Sequence, residues 1–166
     1  LICSSYQMIT KLKKFKCLFI FFLSISLFSP INLSSDQRLN LLLHGGYAFE
    51  SLGNQNNTAV YISIFNNSDK DIVIKEILTD IAEKAEIHEM RFVNDVMQMR
   101  MVKNLIIKRK SELYLQPGGK HIMLMGLKKK IIDGENFSLK FRLDNEELIE
   151  SKVMVLSNKL RENLIN

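Results

Sequence analysis

The sequence predicts an all-β domain, a sandwich or barrel, behind an N-terminal signal segment. Three observations predict it. Short runs of alternating apolar and polar residues recur after residue 36 of the 166-residue chain, as in "TAVYISIF" (Thr58–Phe65). Clusters of Asn, Asp, Ser, Gly and Pro separate these runs, and short, turn-bounded strands are the signature of sandwiches and barrels. The one helix-like stretch within this region, Leu78–Lys84, is too short to change the class.

The signal comes first. Lys11, Lys13, Lys14 and Lys16 precede an unbroken apolar run from Cys17 to Leu23, which continues with interspersed serines to Phe28. A basic region followed by an apolar run of this length reads as a secretory signal. It falls short of the roughly 20 apolar residues of a comfortable membrane span. Met8 is the expected start. Small residues offer cleavage sites at Ser24/Ser26, Ser26/Ser29 and Ser34/Ser35; an uncleaved membrane anchor is the alternative. The expected organisation is a signal over 1–35, a β domain over 36–157 and a polar tail with a frayed helical turn over 158–166.

Composition narrows the function. Apolar residues make up 46% and charged residues 25%, as in an ordinary globular protein. The net charge is +5, but four of the 23 basic residues lie in the first sixteen positions, leaving 19 against 18 acidic residues. That near-neutral remainder carries no nucleic-acid footprint. The two cysteines, Cys3 and Cys17, both fall in the signal region. An exported domain without cysteine has no disulfide to support it and no thiolate to offer a metal.

The strands follow in order. Leu39–Gln55 reads as a first strand and a loop, with His44 before two glycines. Thr58–Phe65 places Val60, Ile62 and Ile64 on one face. "NNSDKD" (66–71) is a turn, and Ile72–Leu78 is the next strand. Lys84–Val93 and Val96–Val102 form a hairpin about Asn94–Asp95. Asn104–Lys110 and Glu112–Gln116 lead to a turn at Pro117–Gly118–Gly119. His121–Leu127, Phe137–Leu143 and Leu148–Leu156 complete the set.

Methionine placement stands out. Six of the eight methionines lie in three short strands. Residues two apart on a strand share a face, so His121, Met123 and Met125 point one way and Ile122 and Leu124 the other. His88 and Met90 repeat the pattern, and Met97, Met99 and Met101 form a second row. The Ile/Leu face suits the core, which leaves the His/Met face outside or at the rim. Neutral thioethers and imidazoles together select Cu(I) over harder ions. Strand methionines also fill core gaps, and alternation alone leaves the two readings balanced.

The spacing goes further. His88, Met99, His121 and Met123 spell H-x10-M-x21-H-x-M. With "AEIHEM", "VMQMR", "PGGKHIMLMGLK" and "NTAVYISIFNNSDKD" in the same order, the chain resembles the PCuAC family of periplasmic copper chaperones from about Tyr47 to Val155. The resemblance implies a cupredoxin-like, Greek-key β-sandwich and a Cu(I) site at His88, Met99, His121 and Met123. It also implies a periplasmic, monomeric, non-enzymatic carrier. Its partner would be a copper acceptor, either a cytochrome c oxidase subunit with its CuA centre or a thiol copper chaperone. Membrane contact would come only through an uncleaved signal. Departures are the Leu39–Gly46 lead-in with His44, Met101 where the family commonly has proline, and no His/Met-rich tail. Roles for His44, Met90, Met97 and Met125 are left open. The alternatives are copper buffering without a client and a metal-free interaction module. Blue-copper electron transfer needs a cysteine ligand that the domain lacks.

Overall fold

The computed structural model describes residues 40–165; the expected signal over 1–35 lies outside them. Ten strands follow in chain order: β1 (Leu41–Phe49), β2 (Asn57–Asn66), β3 (Ile72–Leu78), β4 (Ala82–Val93), β5 (Val96–Met101), β6 (Leu105–Ile107), β7 (Ser111–Leu115), β8 (Lys120–Leu127), β9 (Asn136–Leu143) and β10 (Leu148–Leu156). A helix, α1 (Asn158–Ile165), closes the chain. The strands expected from alternation are all present, with ends shifted by at most three residues.

One hydrogen-bonded path runs β5-β4-β8-β2-β1-β10-β9-β3-β6, and β7 also pairs with β2. The path folds over, so that β3 near one end packs against β4 near the other. This gives the expected sandwich. All its pairs are antiparallel except β1 with β10. Between the layers, Val60, Ile64, Ile122 and Leu124 meet Leu139, Phe141, Val153 and Val155, each wholly buried. Burying one such side chain contributes about 1.5–3 kcal/mol.

The turns follow their residues. Asn94 and Asp95 both take positive φ, 51° and 60°, the geometry of a two-residue hairpin that matches strand twist. The Gly119 N–H donates to the Gln116 carbonyl at 3.1 Å, and Gly118 sits at φ 78°. Pro117 followed by a left-handed glycine makes this a type II turn.

Two segments differ from expectation. Leu78–Lys84 forms no helix: β3 ends at Leu78 and β4 begins at Ala82. Burial of Ile77, Ile81 and Ala82 and the pairing of Ala82 with Leu127 decide that segment against its local preference. The tail is an eight-residue helix. Its first residue, Asn158, donates its N–H to Glu50 Oε1 at 2.9 Å and its Nδ2 to the Glu50 carbonyl at 3.1 Å.

Candidate metal centre

Strand register brings the two histidines together. β4 and β8 pair with His88 directly across from His121, and Glu86 across from Met123. β5 then pairs with β4, placing Met101 across from His88 and Met99 across from Met90. Paired residues share a face, so three strands contribute to one outer patch. Ile122 and Leu124 point into the core, as alternation predicts, and the His/Met row points out.

The imidazoles stand with ring centres 6.1 Å apart. His121 is nevertheless only 5% exposed. Tyr61 on β2 covers it, with ring centres 6.4 Å apart, and Tyr47 lies 5.1 Å beyond Tyr61. Burial pushes the Tyr61 phenol above its ordinary range; the nearby Arg161 opposes this and Tyr47 adds to it. The phenol therefore stays protonated and neutral beside the histidine.

Each ring is held by one nitrogen. His88 Nε2 lies 3.0 Å from Glu86 Oε2. An ionised carboxylate only accepts, so Nε2 donates and Nδ1 of the neutral ring keeps its lone pair. That Nδ1 is buried and has no hydrogen-bond partner. A buried nitrogen without a partner is costly unless something binds it. His121 Nδ1 lies 3.3 Å from the Gly119 carbonyl, so Nδ1 donates and Nε2 keeps the lone pair. The same carbonyl accepts from the Met90 N–H at 3.4 Å. The Pro-Gly-Gly turn thus sets the carbonyl that orients His121. Ring N–H groups held by a carboxylate and a carbonyl are the usual support of metal-binding histidines.

The thioethers surround this pair unequally. Met123 is half-buried, whereas Met97, Met99 and Met101 are about half exposed, at 51%, 50% and 46%. Of the sequence-predicted set, His88, His121 and Met123 lie on adjoining positions of β4 and β8. Met99 lies on the same face of β5, one pair of residues along from His88. Met125 continues the row on β8 and pairs with Lys84, away from the histidines. His44 is exposed on β1 and pairs with Ser63, on a different strand pair from the patch. Sequence reasoning missed Glu86. Its signal was the Glu-x-His spacing, which puts the two on one strand face.

Among the described residues no group of three or more His, Cys, Asp or Glu side chains is arranged to hold a metal. The patch offers two imidazole lone pairs and several neutral thioethers. That donor chemistry, rich in thioethers, fits a soft monovalent cation better than calcium or zinc.

Fold and patch together define a β-sandwich domain with a histidine–methionine face. The chain belongs to the LpqE-like family, described as "Putative lipoprotein LpqE-like", which it matches over residues 41–155. A "Putative lipoprotein Lxx21020" of Leifsonia xyli subsp. xyli is 30% identical over 89 residues, 53% of this chain. The match spans about half the length of that relative, 54%. In three dimensions the chain is similar to PCuAC domains, as the sequence resemblance led one to expect. The Cu(I) form of DR1885 from Deinococcus radiodurans superposes with a TM-score of 0.60 at 26% identity, over 75% of this chain and 84% of that one. The copper-bound PCuAC domain from PmoF2 gives 0.60 at 12% identity, over 71% and 93%. The second likeness is one of fold.

Proposed function

We propose that this chain is a Cu(I) carrier of the exported compartment, holding one ion on its outer face and passing it on by ligand exchange. The carrying observation is the His88–His121 pair, each ring held through one nitrogen, with thioethers on the same face. The proposed ligands are His88, Met99, His121 and Met123. Met99 is diagonal to His88 across β5, a spacing of about 7–8 Å between backbones that a long side chain bridges. The likeness to the Cu(I) form of DR1885 supports this reading.

Copper is cargo here, not a resident cofactor. Its ligands are all neutral, so the bound ion keeps its single charge. Exchange replaces a protein thioether by an acceptor's ligand without moving an electron, and where that ligand is a thiol its proton is released to water as the thiolate binds. The exposed Met99 is the natural first ligand to leave, and the buried His121 the last. No residue is asked to do catalytic work. The proposed setting is the periplasm, and the proposed recipient is the CuA centre of cytochrome c oxidase, directly or through a thiol chaperone.

The test is chelator competition for Cu(I) on the chain and on its His88→Ala variant, without oxygen. Tight one-to-one uptake, weakened by at least about tenfold in the variant (about 1.4 kcal/mol), is expected. Equal affinity in the two proteins would remove His88 from the site. Copper-dependent assembly of the oxidase in a deletion strain tests the recipient separately.

A further inference from the structure

The β4–β5 hairpin carries more methionine than one copper site uses. Beyond the His88–Met101 pair it projects past the core: Phe92 is 72% exposed and Val96 59%. Its two faces differ sharply. Glu89, Arg91 and Arg100 lie on one, where Glu89 Oε1 meets Lys120 Nζ at 2.6 Å and Arg91 bonds the same carboxylate. Met90, Phe92, Met97, Met99 and Met101 lie on the other. Such an exposed apolar face adds nothing to the core and leaves its thioethers open to oxidation.

Register groups these sulfurs. Met90 stands directly across from Met99, and Met97 is diagonal to Met90, paired with Phe92. Directly opposed residues have their β-carbons about 4.5–5.5 Å apart and diagonal neighbours about 7–8 Å. Three flexible thioether side chains from these positions can converge on one ion. No carboxylate or cation shares this face of the hairpin beyond His88, so the set is soft and neutral, which selects Cu(I).

We propose that Met90, Met97 and Met99 form a second, weaker Cu(I) station that loads the histidine site. The proposal rests on the carrier reading, since Met99 is shared with the proposed ligand set. In loading, the bonds from copper to Met90 and Met97 break as bonds to His88, His121 and Met123 form. Met99 stays bound throughout. Copper remains Cu(I), and no proton or electron moves. Three thioethers without an imidazole bind less tightly than the mixed site, so the downhill direction is toward the histidines.

The test uses the chain labelled with 13C at the methionine methyl groups, titrated without oxygen with Cu(I) supplied as its acetonitrile complex. One equivalent should move the Met99 and Met123 methyl signals of the parent, and in His121→Ala, where the tight site is gone and Met99 is free, those of Met90, Met97 and Met99. Met154, exposed on β10, should stay still as an internal control. The Met90→Leu/Met97→Leu double variant should fold, keep the tight equivalent, and load from a weak Cu(I) chelator several-fold more slowly. His121→Ala should lose the tight equivalent and keep the weak one. Met90 and Met97 signals that never move, or a double variant that loads like the parent, would overturn the station while leaving the carrier intact. A parent that takes up no Cu(I) would overturn both.

Discussion

Met123 and Ile122 are neighbours on β8 that face opposite ways, so exchanging each asks a different question. Ile122 is wholly buried between the layers. Ile122→Ala removes core volume and leaves a cavity, at a typical cost of about 2–5 kcal/mol. For a domain of this size each kilocalorie lowers the melting temperature by about 3–5 °C. A fall of roughly 10–18 °C is therefore expected from the middle of that range. The ligands are untouched, so copper affinity should survive while the protein is folded. Met123 is half-buried on the outer face. Met123→Leu keeps volume and apolarity and should cost less than about 1.5 kcal/mol. It deletes one sulfur with no replacement, so Cu(I) affinity should fall by at least about tenfold. Thermal melts of the metal-free variants and Cu(I) competition at a temperature where both are folded measure the crossover. A Met123→Leu protein that binds copper like the parent would refute the reasoning, because Met123 would then be packing alone.

Other expectations concern the turn, the metal and the acid response. Gly118→Ala forces a side chain into a left-handed position and should destabilise the domain by about 1 kcal/mol or more; it should also weaken copper binding by displacing the Gly119 carbonyl that holds His121, and unchanged affinity would separate turn from site. In mixed-metal competition Cu(I) should exclude Zn2+, which prefers thiolate, imidazole or carboxylate; comparable zinc occupancy would count against a thioether site. Asp71 Oδ2 accepts from Lys108 Nζ at 2.8 Å and Oδ1 from the Arg109 N–H at 2.9 Å, and chiefly the Lys108 bond holds its carboxyl below the usual range. Such a group contributes stability above its unfolded pKa of about 3.9, lost as pH falls through the lower folded value. Asp71→Asn should flatten that acid arm of the melting-temperature profile, and an unaltered arm would deny Asp71 a part in it.

Local chemistry made most of the fold legible. Alternation in Thr58–Phe65 and His121–Leu127 fixed which side chains enter the core. Asn94–Asp95 and Pro117–Gly118–Gly119 announced their turns through residues that accept positive φ. What stayed hidden depends on partners distant in sequence. The burial of His121 comes from Tyr61 on β2. Met101, and not Met99, stands directly opposite His88 because of a register that no single strand encodes. Helix α1 is capped by Glu50, 108 residues away, so its sequence alone reads as a polar tail. Leu78–Lys84 has a helical preference that burial of Ile77, Ile81 and Ala82 overrides. In the site, the residues of the H-x10-M-x21-H-x-M spacing fall on one outer face of β4, β5 and β8, and the contact of Glu86 with His88 emerged only with the structure.

The central claim is that copper on this chain is held by imidazole and thioether together. X-ray absorption at the copper K-edge, on the chain loaded with one equivalent of Cu(I), reads those ligands directly. The account predicts an edge of Cu(I) shape and a first shell mixing nitrogen and sulfur, with the nitrogen part reduced in His88→Ala and the sulfur part in Met123→Leu. A shell of oxygen and nitrogen alone, or one that neither substitution changes, would contradict it.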